Sequence, residues 1–155
     1  MAEACPIDET HNARTTSWIA SANSHAEFPL QNLPLGIFSP SAGRDGSAPR
    51  AGVAIGEEIV DLAALCSEGL LSGDAEQAAR AATGTSLNAL FALGARPRRA
   101  LRRALFHLLS SDSGERERIT PCLHASSACR MHLPAAIDFR PRSSSTRCGF
   151  ISASP

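Results

Sequence analysis

The run Gly52-Val53-Ala54-Ile55-Gly56-Glu57-Glu58-Ile59-Val60-Asp61-Leu62 constrains this chain more than any other stretch. Val53 and Ile55 alternate with small residues, and side chains two apart on a strand share a face, so both are expected to point into a core. The polar Gly56-Glu57-Glu58 predicts the turn of a hairpin, and Ile59 to Leu62 its returning strand.

The flanking sequence predicts what this hairpin packs against. Upstream, Phe28-Pro29-Leu30-Gln31-Asn32-Leu33-Pro34-Leu35-Gly36-Ile37-Phe38 sets apolar residues among prolines that forbid a helix, which implies extended chain with short strands at Trp18 and at Gly36 to Ser39. Residues 39–50 hold almost only loop formers. Downstream, helices are predicted from Ala63 to Glu68 with Gly69 as stop, from Asp74 to Ala82, and from Ser86, as cap, to Leu93 before Gly94. The clearest helix runs from Pro97 to Ser110. Ala100, Leu101, Ala104, Leu105 and Leu108 form its apolar face, and Arg98, Arg99, Arg102 and Arg103 lie off it. Ser111 to Glu117 reads as polar loop. Ile119–Leu123 and Met131–Ile137 read as strands held to an edge or an end by Pro121 and Pro134. Residues 1–16 read as a flexible leader, and residues 138–155, with three arginines, five serines and no acid after Asp138, as a tail unable to pack.

At 155 residues the chain is long enough to bury a core without disulfides or a metal. Fifteen acidic side chains balance fifteen basic ones, so no long-range field recruits nucleic acid or an anionic membrane, and neither is expected as a partner. Lysine and tyrosine are both missing, which removes Schiff-base chemistry and a tyrosine general acid. Cys5, Cys66, Cys122, Cys129 and Cys148 are odd in number and scattered, as expected of free cytosolic thiols. The acidic start Met1-Ala2-Glu3-Ala4-Cys5 lacks the basic and apolar parts of an export signal, and no apolar run is long enough for a membrane span. A cytoplasmic location is expected.

Few constellations carry chemistry. Cys122, His124, Cys129 and His132 put two thiols and two imidazoles within eleven residues, but the spacing fits no zinc motif, and loop histidines with scattered thiols are the better account. The arginines of the 97–110 helix read as a solvated face, with Glu115 and Glu117 as counter-charges, rather than as a phosphate grip. No Gly-x-Ser-x-Gly elbow is present. Trp18, Phe28, Phe38 and Phe91 read as core or interdomain packing.

Three segments taken in order, Ser17-Trp18-Ile19-Ala20-Ser21-Ala22-Asn23, Phe28 to Phe38 and Gly52 to Leu62, resemble the N-terminal domain of the fumarylacetoacetase family. Met131-His132-Leu133-Pro134-Ala135-Ala136-Ile137 resembles the segment leading into that family's catalytic domain, so the resemblance covers residues 17–137. It implies a mainly β chain with helices: a small SH3-like β-barrel with appended α-helices over 17–120, a lead-in segment over 121–137 and a divergent tail over 138–155. It further implies a hydrolase that splits fumarylacetoacetate into fumarate and acetoacetate in tyrosine and phenylalanine breakdown. Magnesium or calcium, held by carboxylates, serves that reaction, with a histidine–glutamate pair to activate water. The implied partner is the catalytic domain of the same family or a second copy. The alternative is a free-standing interaction domain that assembles with a separate catalytic chain.

At the join, Asp138 matches the family's metal-ligand aspartate once four residues are deleted. Arg140 then stands at the substrate-contacting tyrosine, and no histidine follows His132. A hard cation needs about six oxygen ligands, and one aspartate offers at most two. The resemblance therefore implies a truncated or frameshifted form that binds no metal and has no activity of its own.

Overall fold

The computed structural model describes residues 7–40 and 48–132. Its centre is a five-stranded antiparallel sheet built from β1 (Leu35–Pro40), β2 (Arg50–Ile55), β3 (Glu58–Asp61), β4 (Leu123–Ala125) and β5 (Cys129–His132), in the order β4-β3-β2-β1-β5. The expected mainly β architecture with helices is present. Among the described residues the sheet is a curled half-barrel whose outer strands are β4 and β5.

The hairpin joins β2 to β3 with Val53 opposite Val60 and Ile55 opposite Glu58. Because Glu58 pairs, the turn is the two residues Gly56-Glu57 and not the three expected. Gly56 adopts φ +53°, and a Cβ there would stand 2.4 Å from Ser21 Oγ and 2.6 Å from the Ala22 nitrogen. Only glycine meets both demands. Gly56 N–H also donates to the Phe28 carbonyl at 2.7 Å, which seats the turn against the upstream segment.

The two faces of the sheet are both buried in its middle. Ala51, Val53, Ile55 and Val60 face α1 (Leu62–Ser67), α2 (Gly73–Ala81) and α4 (Ala95–Leu109), in one core with Leu65, Ala78, Leu101, Leu105 and Leu109. Val53 and Ile55 are fully buried, as their alternation predicts. On the opposite face Phe38, Ala54 and Ile59 form a second buried layer around Gly52, where a Cβ would come within 2.7 Å of Ile59 and 2.8 Å of Phe38. Glycine at 52 is what lets those two large side chains meet across the strand.

The remaining helices are α3 (Asn88–Ala92) and α5 (Arg116–Ile119). Four local expectations change. Ser86 does not cap α3, whose preceding residue is Leu87 with no side-chain cap. The stretch 119–123 is not a strand: α5 runs into a 3-10 helix, Thr120–Cys122, and only Leu123–Ala125 is extended. Ile119 and Cys122 are both buried, three residues apart as a helical turn requires, and Pro121 in that turn forfeits no ladder hydrogen bond. The predicted polar loop, Ser111 to Glu117, accordingly ends at Glu115. The Met131–Ile137 strand begins earlier, at Cys129; residues 133–137 and the tail lie outside the described residues. Residues 123–132, expected to lead into a further domain, supply both edge strands of this sheet.

The expected leader is tied down from Asp8 onward. Asp8 caps the 3-10 helix Glu9–His11, and Thr10 is buried. Gln31 donates to the carbonyls of Asn12 and Thr15, both at 2.8 Å. No strand forms at Trp18; a single bridge links Ser17 to Ser110. There Ser17 Oγ donates to the Leu109 carbonyl at 2.6 Å and the Trp18 indole N–H to the Leu108 carbonyl at 3.1 Å. Two carbonyls orphaned at the end of α4 are thus capped by side chains some ninety residues away in sequence.

Candidate functional site

Two side-chain groupings stand out, one structural and one open to solvent. The first is centred on Asp61, which ends β3 and directly precedes α1. Its Oδ1 accepts the N–H groups of Ala63 at 2.9 Å and Ala64 at 3.2 Å, the arrangement of a helix N-cap. Its Oδ2 accepts from Arg50 Nε at 2.6 Å and lies 3.6 Å from His124 Nε2. Arg50 and His124 both lie against the Phe38 ring, at 5.2 and 5.3 Å. Asp61 is 4% exposed, and its oxygens are committed to a helix end and to a cation on the neighbouring strand. This carboxylate ties β2, β3 and α1 together and has no room to act on a substrate. Sequence reasoning passed over it, although an aspartate directly before Leu-Ala-Ala-Leu is a helix-start signal.

The second grouping is a groove of about 390 Å³. Leu33 and Leu35, placed by the proline-bounded approach to β1, form one side; Phe91 of α3 and Ala95 of α4 form another. The 3.6-residue period of α4 turns Leu101 and Leu105 into the floor and brings Arg98, Arg99 and Arg102 to the rim. Phe91 is 43% exposed, and Arg98 lies over its ring at 5.5 Å while donating to the Gly94 carbonyl at 2.9 Å. Arg102 is not a free surface residue: it donates to Thr10 Oγ1 at 3.2 Å and to the Gln31 carbonyl. None of these three arginines is in an ion pair among the described residues.

The other arginines of α4 differ. Arg96 pairs with Asp74 at 2.8 Å, and Arg103 with Glu9 at 2.7 Å and Asp8 at 3.4 Å. The counter-charges are therefore Asp8, Glu9 and Asp74, not Glu115 and Glu117; Glu115 instead pairs with Arg118 at 2.8 Å. Hydrogen bonds from Thr10, opposed by partial desolvation and assisted by His11 and Arg103, hold the Asp8 carboxyl down at about 2.

The zinc alternative does not assemble. Cys122 sits in the helix-side core, its thiol directed at the Arg118 carbonyl at 3.8 Å, whereas His124 stacks on Phe38 on the other face. Among the described residues no three of His, Cys, Asp and Glu are grouped to hold a metal. Cys66, Cys122 and Cys129 are free thiols, each pushed above its ordinary value chiefly by burial. Asp138, matched by resemblance to a metal ligand, lies outside the described residues. No helix among the described residues is long and apolar enough to cross a membrane.

A curled antiparallel sheet with helices packed on one face, a buried aspartate tying the two, and an arginine-rimmed groove define a small mixed sheet-and-helix domain. Residues 31–134 match the family model for the fumarylacetoacetase N-terminal domain. The chain belongs to that family. It is 37% identical over 89 residues to a fumarylacetoacetase of Arabidopsis thaliana, covering 57% of this chain and 20% of that one. To the Mus musculus fumarylacetoacetase it is 33% identical over 117 residues, 72% and 27% of the two chains. To that of Oryza sativa subsp. japonica it is 31% identical over 139 residues, 84% and 32%. These stretches thus span only a fifth to a third of the relatives' lengths.

Proposed function

We propose that this chain serves as the non-catalytic N-terminal domain of a fumarylacetoacetase-type hydrolase, working in the cytoplasm on fumarylacetoacetate and releasing fumarate and acetoacetate. The observation that supports this most directly is the family match over residues 31–134. Hydrolysis of a carbon–carbon bond beside a carbonyl needs a Lewis acid to polarise the diketone and a base to activate water. The described residues do not fit magnesium or calcium, since no three candidate ligands converge. The carboxylates that hold such an ion, and the base, belong in this reading to a catalytic domain, with Asp138 at its threshold. The role left to these residues is non-catalytic packing against that domain.

The test has two arms. The 155-residue chain with added magnesium or calcium should leave fumarylacetoacetate intact, as followed by loss of the diketone absorbance. A chimera in which residues 1–137 replace the N-terminal domain of an active fumarylacetoacetase should turn it over. Turnover by the chain alone that survives Asp138→Ala, or a soluble but inactive chimera, would overturn the proposal.

A further inference from the structure

We propose that the groove between α3, α4 and Leu33–Leu35 binds a small apolar molecule bearing a carboxylate, which ion-pairs with Arg99. The groove's volume of about 390 Å³ lies in the range of small-molecule sites, and its floor is leucine with an exposed aromatic wall. Such a lining favours an alkyl or aryl body. The charge is one-sided: Arg98, Arg99 and Arg102 line it, and among the described residues no acidic one does.

Arg98 and Arg102 are already turned to neutral backbone and hydroxyl oxygens. Among the described residues Arg99 has no such engagement. It stands between this groove and a neighbouring pocket that contains Asp8 and Asp74, but those carboxylates are taken by Arg103 and Arg96. In a chain whose net charge is zero, a local excess of three cations beside an apolar floor is complementary to one kind of ligand, an apolar body with an anionic head. A guanidinium binds a carboxylate bidentately, so the pairing also fixes orientation. The inference stands apart from the hydrolase reading and is tested without any turnover.

The experiment titrates the full 155-residue chain with decanoate, below its micelle concentration, by calorimetry and by NMR of the Phe91 ring. Saturable one-to-one binding is expected, weakened about tenfold or more in Arg99→Gln and in Phe91→Ala, and weakened by added salt. Decyltrimethylammonium, the same body with the opposite charge, should bind at least about tenfold less tightly, and acetate not measurably. Both substituted side chains lie at the protein surface, and thermal melts of the variants establish that they fold. Equal affinity for the two decyl compounds, indifference to both substitutions, or no binding would overturn the proposal. So would a concentration-dependent dimer in sedimentation that Phe91→Asp dissolves and that excludes decanoate, because a second copy would then be the occupant.

Discussion

Replacing Asp61 by alanine removes two interactions at once, and their magnitudes can be worked separately. The N-cap of α1 is worth about 0.5–2 kcal/mol. Losing one member of a buried ion pair costs about 3–5 kcal/mol when the orphaned charge stays dry. Arg50 keeps 28% of its side-chain exposure and can turn to water, so the pair contributes closer to 1–2 kcal/mol. The sum is about 1.5–4 kcal/mol. For a chain of this length each kcal/mol moves the melting temperature by about 2–4 °C, so Asp61→Ala should lower it by about 3–16 °C in a thermal melt followed by circular dichroism. Asp61→Asn separates the two effects. Asparagine caps as well as aspartate, so the bonds to Ala63 and Ala64 survive, while its amide N–H2 takes the place of Oδ2 and the hydrogen bond and ion pair with Arg50 are lost; the shift should be smaller than that of the alanine variant. An asparagine variant as unstable as the alanine variant would show that the cap contributes nothing. No shift in either would refute the argument that Asp61 joins sheet to helix.

Ile55→Ala, at a fully buried position, should cost about 2–5 kcal/mol and Arg102→Ala about 1–2 kcal/mol, because the latter leaves the Gln31 carbonyl and Thr10 hydroxyl without their donor; Arg80→Ala, in an exposed pair, should cost almost nothing, and chemical denaturation of the three variants side by side gives the order. The Asp8 carboxyl ionises below its ordinary value, so the hydrogen bonds it makes are fully present above pH about 4 and are lost as pH falls toward about 2; the Thr10 amide resonance should follow that titration, and Asp8→Asn should abolish it.

Elements whose cause is local were legible. The hairpin follows from alternation at Val53 and Ile55 around a glycine turn, and α4 from leucines at helical spacing. Both depend on periods that a few neighbouring residues define. The resemblance at Phe28–Phe38 and Gly52–Leu62 likewise led to the family that the match over residues 31–134 shows. The failures have a common cause. Residues 119–123 are apolar and contain proline, which suits an edge strand or a tight helical turn equally, and the burial of Ile119 and Cys122 in the helix-side core selects the turn.

By itself, then, the sequence determined the hairpin, the amphipathic helix and their common core face, because side-chain period and turn chemistry act over a few residues. Only the tertiary structure decided that Phe38 and Ile59 form a second buried layer around Gly52, that Ser17 and Trp18 close the end of α4, and that Asp8, Glu9 and Asp74 neutralise some arginines of α4 and leave others facing an apolar groove. Each of those outcomes depends on which groups far apart in the chain come within a few ångströms, and hydrogen bonding and ion pairing at that range have no local period to announce them.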